Sequence, residues 1–203
     1  IVILNGDGAD EVMGGYLYMR KAPSVNAFDK ECRRLVTDIH YFDVLRSDRC
    51  ISSHGLEPRT PFLDKGFVQN YFSIPAILRY QTTVEHQEKF LLRTAIAEAW
   101  PELLPKEVLW RRKEAFSDGV SSKEKSWFEI INDRMANNKD LSDLPNGSYG
   151  HEINAPKSDE QRYYRSVFDS IYPNCAGTIP YFWMPKFVDA TDASARTLDI
   201  YQE

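Results

Sequence analysis

The chain has 203 residues, of which 42% are hydrophobic and 27% charged, as is ordinary for a soluble globular protein. Its net charge of −5 and its pI near 5.5 argue against nucleic acids and anionic membranes as main partners. No apolar run approaches the roughly 20 residues that span a bilayer, and three widely spaced cysteines are typical of reduced thiols in a cytoplasmic protein.

The chain opens with a short apolar segment. Residues 1–4 predict a strand buried on both faces, as in a parallel sheet, and an acidic glycine-rich loop follows over residues 5–11. Because the first residue is not Met and the strand has no lead-in, we expect the N-terminus to be a truncation. From about Asn26 to Leu45 apolar residues recur at helical spacing, with Gly55 as a terminator.

The rest of the chain is predicted to be mostly helical. Helices are expected over residues 64–72, 85–100, 123–135 and 161–171, after an extended loop at Pro58 and Pro61. Residues 110–119 are predicted to be irregular with a turn at 117–119, and polar residues 137–154 are predicted to be a mobile insertion. One strand among many helices fits the helical remainder of an α/β domain whose sheet lies upstream.

The acidic loop is the first candidate functional site. It carries Asp7, Asp10 and Glu11 beyond the end of the predicted strand, where open α/β sheets bind ligands. The loop lacks the Lys-Ser/Thr ending of a Walker loop, so its carboxylates would hold Mg²⁺ that bridges to a polyphosphate. The alternative is a tight strand-to-helix turn in which Asp10 or Glu11 is favoured by the helix dipole. The loop alone does not decide between them.

Five motifs in order carry a resemblance to a known family. NGDGADEVMGGY, at residues 5–16, is similar to the second nucleotide-site motif of asparagine synthetases, SGEGSDE(L/V)FGGY. Further matching stretches occur at residues 57–64, 88–93, 110–119, and 183–185 with 194–196. The chain thus resembles the C-terminal part of the synthetase domain of glutamine-hydrolysing asparagine synthetases. The resemblance implies an α/β, adenine-nucleotide α-hydrolase-like (PP-loop, Rossmann-like) fold, with residues 1–203 as a partial domain.

The resemblance also implies a reaction. The family uses MgATP to convert aspartate to β-aspartyl-AMP and pyrophosphate, and ammonia released from glutamine then displaces AMP to give asparagine. It implies a cytoplasmic ligase with small-molecule substrates, and it allows a homodimer of the full-length enzyme. The N-terminal glutaminase domain and the pyrophosphate loop of the family have no counterpart in this sequence. We therefore expect the isolated chain to bind MgATP poorly and to form no adenylate.

Individual roles follow from the motifs. Asp10 matches the family's Mg²⁺ carboxylate, and Glu11 beside it is a weaker candidate for the metal. Lys113 matches the lysine that neutralises the phosphorus transition state and the leaving pyrophosphate. Its alternative role is that of a solvated basic residue. In the motif at residues 88–93, Lys89 is the best candidate for the pocket.

Two residues depart from the family pattern. Asn5 and Gly6 align with a Ser-Gly pair that touches ATP, and Asp7 aligns with a glutamate important for forming or consuming the acyl-adenylate. Asp7 is shorter than that glutamate by about 1.5 Å, one carbon–carbon bond. These departures leave room for a related amide-forming ligase, such as a β-lactam-synthetase-like enzyme. A non-catalytic stand-alone module is a further alternative, which the retained Asp10 and Lys113 disfavour.

Overall fold

The computed structural model describes residues 1–80, 86–122, 124–136 and 154–199, which form two compact units. The first unit comprises residues 1–113 and the tail from residue 185, and the second comprises residues 114–184. The first unit contains β1 (Val2–Leu4), α1 (Ala9–Met13), α2 (Val25–Asp38), α3 (Asp43–Ser52), β2 (Glu57–Arg59), α4 (Lys65–Ser73), α5 (Ala76–Arg79), α6 (Phe90–Ala99) and α7 (Lys106–Leu109). The second unit contains α8 (Phe116–Val120), α9 (Trp127–Ala136) and α10 (Asp159–Ile171). The described chain is therefore mostly helical, as predicted.

The sheet has two parallel strands in the described residues. Val2 lies opposite Glu57 and Leu4 opposite Arg59, and the backbone N–H of Asn5 donates to Arg59 O at 2.9 Å. The predicted strand is confirmed, but its predicted burial on both faces is wrong. Val2 is 53% and Leu4 72% exposed, and Ile3 between them is half-buried.

The core of the first unit lies where α1 meets α2 and α4. Val12 and Met13 of α1 are buried against Tyr71 of α4. Gly14 directly follows α1 and has a φ of +63°, which favours glycine, and a Cβ there would lie 2.3 Å from Cε2 of Phe28. α1 is thus packed closely against α2. The acidic loop leads into this helix, so the core holds the end of the loop in place.

The long helix predicted from Asn26 to Leu45 is wrong as a single element. α2 ends at Asp38, a 3₁₀ turn follows over Ile39–Tyr41, and α3 starts at Asp43. The direction of the chain changes at Phe42, which has φ −122° and ψ −106°. The apolar spacing continues through this break and therefore conceals it. Gly55 has φ +71° but does not terminate α3, which ends three residues earlier.

The two helices that lie nearest to their predicted bounds, α4 and α10, each begin at a side-chain cap. Asp64 caps α4 by accepting a hydrogen bond from Phe67 N at 3.0 Å, and Ser158 caps α10 by accepting one from Gln161 N at 3.2 Å. The helix predicted over residues 85–100 appears as α6, and that predicted over 123–135 appears as α9. Residues 85 and 123 lie outside the described residues.

Three loop predictions have different outcomes. The predicted turn at residues 117–119 is wrong because these residues lie in α8, and the predicted extended loop contains β2 at Pro58 and a 3₁₀ turn over Pro61–Leu63. The predicted insertion at residues 137–154 lies outside the described residues except for Asn154. Within the described ranges, no helix is both long and apolar enough to cross a bilayer.

Candidate functional site

The acidic loop forms a tight turn from β1 into α1. Gly8 has φ +89° just before α1, and a Cβ at this position would lie 2.4 Å from Cδ2 of Leu63. Ala9 N donates to Gly6 O at 3.2 Å, so α1 begins almost directly after the strand. Asp10 and Glu11 consequently occupy the first turn of α1, at the carboxyl end of β1.

Two lysines distant in sequence converge on Asp10. Nζ of Lys89 lies 2.7 Å from Asp10 Oδ1, and Nζ of Lys113 lies 3.9 Å from Asp10 Oδ2. The Lys113 ammonium also lies 5.2 Å from the centroid of the Tyr16 ring. The structure therefore brings Asp10 and Lys113, both predicted from motifs, into one cluster with Lys89. A distance of 3.9 Å is too long for a hydrogen bond, so the Lys113 ammonium is paired with Asp10 by charge alone.

Lys89 is held in place by a buried ion pair beside it. It has φ +61°, which is unusual for a residue other than glycine, and it immediately precedes α6. Glu88 is 5% exposed and accepts a hydrogen bond from Nη2 of Arg20 at 2.7 Å, while Nε of Arg93 donates to Glu88 O at 2.7 Å. These contacts fix the turn that directs the Lys89 ammonium toward Asp10.

Glu11 is hydrogen-bonded to Tyr16, whose ring lies beside Lys113. It is 5% exposed and accepts a hydrogen bond from the Tyr16 hydroxyl at 2.5 Å. Burial raises the pKa of Glu11 to about 7, and the hydrogen bond from Tyr16 opposes this rise. The Glu11 side chain is thus less accessible to a ligand than that of Asp10, which is 24% exposed. Its role stays a prediction.

The donor set fits a magnesium ion only in part. Among the described residues, no group of three or more His, Cys, Asp or Glu side chains is arranged to hold a metal. Mg²⁺ at phosphate sites, however, commonly takes one or two carboxylates together with substrate oxygens. Asp10 is the carboxylate that fits this pattern, because its side chain is 24% exposed and lies beyond the end of a strand.

Asn5, Gly6 and Asp7 form the other part of the loop. Asp7 N donates to Oδ1 of Asn5 at 3.1 Å, and Nδ2 of Asn5 donates to Oδ2 of Asp7 at 3.1 Å. The hydroxyl of Ser47, on α3, donates to the same carboxylate oxygen. A Cβ at Gly6 would meet no atom within 4 Å, so space beside this backbone is open to a ligand.

Sequence reasoning missed Ser47 and the support of Lys89. Ser47 is 40 residues from Asp7 along the chain, and nothing in its local sequence marks it. Arg20 and Glu88 are 68 residues apart, and Glu88 was recognised only as part of a motif. Burial of a charged residue in the structure is the signal that identifies such pairs, and sequence spacing does not contain it.

Comparison with known proteins identifies a family and several similar sequences. A family model described as asparagine synthase matches residues 20–190. Over 202 residues the chain is 45% identical to the asparagine synthetase [glutamine-hydrolyzing] of Gallus gallus, and 44% identical to the proteins of the same name from Bos taurus and Homo sapiens. The alignments cover 100% of this chain but 35% of each relative, so the chain spans about a third of their length.

Proposed function

Since the chain belongs to the asparagine synthase family, we propose that it is part of an ATP-dependent ligase that makes asparagine from aspartate. A side-chain carboxylate oxygen of aspartate bonds to the α-phosphorus of ATP, and the bond to pyrophosphate breaks. Ammonia, released from glutamine, then bonds to the carbonyl carbon of β-aspartyl-AMP, loses a proton and displaces AMP. The observation that supports this proposal most strongly is the convergence of Lys89 and Lys113 on Asp10 at the carboxyl end of β1.

The cations of this cluster suit the first step. Negative charge grows on the phosphate oxygens and on the leaving pyrophosphate, and a fixed ammonium stabilises it best where water is scarce. The Lys113 side chain is 12% exposed and lies beside the Tyr16 ring, which meets this condition. Lys89 holds the Asp10 carboxylate in one position. Asp10, with Glu11 as the weaker candidate, would hold Mg²⁺, which supplies further charge neutralisation at the phosphates.

The first residues of the loop are assigned to the substrates. Asn5 and Gly6 contact the nucleotide, where the open space beside Gly6 permits a close approach. Asp7 orients the amino-acid substrate or accepts the proton that ammonia loses. The parallel pairing of β1 with β2 supports assignment of the domain to the PP-loop, Rossmann-like class. The widely spaced cysteines support a location in the cytoplasm.

The proposal is tested with the complete product of the gene that encodes this chain. We expect aspartate to promote exchange of radiolabelled pyrophosphate into ATP, and ammonia or glutamine to yield asparagine and AMP. Glutamate, one methylene longer, is the control acceptor and is expected to support neither reaction. Absence of aspartate-dependent exchange would contradict the proposal, and so would exchange that depends on a different amino-acid carboxylate.

A single methyl group at Gly15 is expected to impair the reaction without unfolding the protein. In Gly15→Ala, the new Cβ would lie 2.1 Å from Asp10 Oδ1 and 2.8 Å from Lys89 Cε, so both side chains must move. Displacing them by about 1 Å is expected to lower the exchange rate by about 10²-fold. The thermal unfolding midpoint should change little, because the displaced atoms lie near the ends of side chains.

The neighbouring Gly14 provides the matched control. In Gly14→Ala the new Cβ meets the Phe28 ring and the residue must keep a positive φ, so we expect a loss of about 2 to 4 kcal/mol in the free energy of unfolding. Urea unfolding and exchange rates measured on both variants separate the two effects. An unchanged exchange rate in Gly15→Ala would show that the geometry of Asp10 and Lys89 is unimportant to the reaction.

A further inference from the structure

The Asp7 carboxylate is held by two hydrogen bonds that end on the same oxygen. Oδ2 accepts from Nδ2 of Asn5 at 3.1 Å and from the Ser47 hydroxyl, while the Asp7 backbone N–H donates to Asn5 Oδ1. Bonds to a charged carboxylate are about twice as strong as those between neutral groups. Asp7 therefore has one preferred side-chain orientation, in which Oδ1 is the oxygen left to meet a ligand.

Ser47 makes its contact from a separate part of the first unit. It is half-buried on α3, which packs against β2, and β2 in turn pairs with β1, the strand that leads into the acidic loop. The Ser47 hydroxyl also lies 3.3 Å from Val44 O, but it has one proton and the contact with Asp7 is much shorter. The proton is therefore assigned to Asp7.

We propose that Ser47 is a positioning residue that sets the orientation of the Asp7 carboxylate toward the amino-acid substrate. This inference rests on the proposed function. Asp7 is one methylene shorter than the glutamate that the family pattern has at this position. Aspartate has one rotatable side-chain bond fewer than glutamate, so its carboxylate reaches fewer positions. Its orientation toward the substrate must therefore be fixed by neighbouring groups. Ser47 supplies that constraint from α3, and Asn5 supplies it from within the loop.

The first test is Ser47→Ala in the complete gene product. We expect kcat of aspartate-dependent exchange to fall about tenfold with KM for ATP little changed, since Ser47 bonds to Asp7 and not to the residues assigned to the nucleotide. Ser47→Thr keeps the hydroxyl and is expected to retain at least half the rate. Ser52→Ala removes a hydroxyl of the same helix that donates only to Asp48 O, and it is expected to have no effect. Equal losses in Ser47→Ala and Ser52→Ala would overturn the proposal, and so would an unchanged kcat in Ser47→Ala.

A second test asks whether Ser47 acts through Asp7. With Asp7→Glu the carboxylate has the family's length, so adding Ser47→Ala to this variant should change kcat by less than about twofold. A tenfold loss in both backgrounds would mean that Ser47 acts in another way.

A readout that needs no activity separates this inference from the proposed function. The side-chain amide of Asn5 donates one hydrogen bond to the oxygen that Ser47 also contacts, so the NMR resonances of this amide should shift in Ser47→Ala but not in Ser52→Ala. If the unaltered protein shows no exchange activity, the proposed function fails, and these resonances still report whether Ser47 holds Asp7. Unshifted resonances in Ser47→Ala would overturn the inference by themselves.

Discussion

Replacement of Lys113 by methionine is expected to lower the rate of aspartate-dependent adenylate formation by about 10²- to 10³-fold. Methionine keeps much of the apolar stem and removes the charge that would face the phosphates. The side chain is 12% exposed and lies beside the Tyr16 ring, where screening by water is weak. The measurement is single-turnover formation of β-aspartyl-AMP by the complete gene product, and the loss should appear in the rate rather than in KM for aspartate.

The same variant is expected to fold normally. Lys113 is paired with Asp10 at 3.9 Å, and Asp10 keeps its closer partner Lys89 at 2.7 Å, so no buried charge loses its only compensation. Lys106→Met, at an exposed lysine of α7, is the matched control and should be fully active. A rate for Lys113→Met within about twofold of the unaltered protein would favour the alternative role of Lys113 as one more solvated basic residue.

Glu31→Ala is expected to cause a loss of stability of about 2 to 3 kcal/mol, measured by urea unfolding. Glu31 is 2% exposed and lies at the centre of a charged network in the first unit. It accepts hydrogen bonds from the Tyr18 hydroxyl at 2.9 Å and from Arg34 Nη2 at 2.5 Å, and Nζ of Lys186 lies 2.8 Å away. Truncation removes the buried carboxylate that these three donors share. It also removes a link between α2 and the tail that begins at Pro185.

The dependence of the free energy of unfolding on pH at acid pH provides an independent check of the role of Glu31. Burial alone would raise the pKa of Glu31, but hydrogen bonds and charge from Arg34 and Lys186 outweigh burial and hold this pKa below its usual 4.5. The unfolded state then binds the proton more readily. The stabilisation is therefore present above about pH 4.5 and is lost as the pH falls through the lower, folded-state value. Glu31→Gln should show a flatter decline of stability in this range.

Glu57→Ala is the control for this prediction. Glu57 pairs with Arg59 at 2.7 Å, but both side chains are 60% exposed, so the pair is screened by water and its loss is expected to change stability by less than about 1 kcal/mol. Similar losses in Glu31→Ala and Glu57→Ala would show that burial does not determine the strength of these pairs.

The helices were predictable from sequence where their signals are local. α4 and α10 each begin at a side chain that caps them, Asp64 and Ser158, and both helices lie close to their predicted bounds. The break between α2 and α3 was not predictable, because the apolar spacing is the same on both sides of Phe42. β2 was missed for another reason. A strand of three residues containing Pro58 is defined by its parallel partner β1, which lies more than 50 residues earlier.

In the candidate site, too, features set by neighbouring residues were predictable, and contacts between residues far apart in sequence were not. The loop at residues 5–11 was recognisable alone as an acidic turn, yet its pattern fitted a metal site and a plain helix start equally well. Lys113 became a candidate only through its motif, and the structure now places it beside Asp10. Ser47 had no motif to mark it. Hydrogen bonds such as that between Ser47 and Asp7 depend on the packing of α3 against β2, which the sequence does not state.

The short turn between β1 and α1 has a consequence for the free energy of ligand binding. Asn5 is tied to Arg59 through the strand ladder, Gly6 O accepts from Ala9 N, and Gly8 lies against Leu63. Ordering the backbone of one residue costs about 1–2 kcal/mol in conformational entropy. In this turn that entropy is already lost when the protein folds. A ligand that binds beside Gly6 therefore pays little further conformational entropy for ordering the backbone.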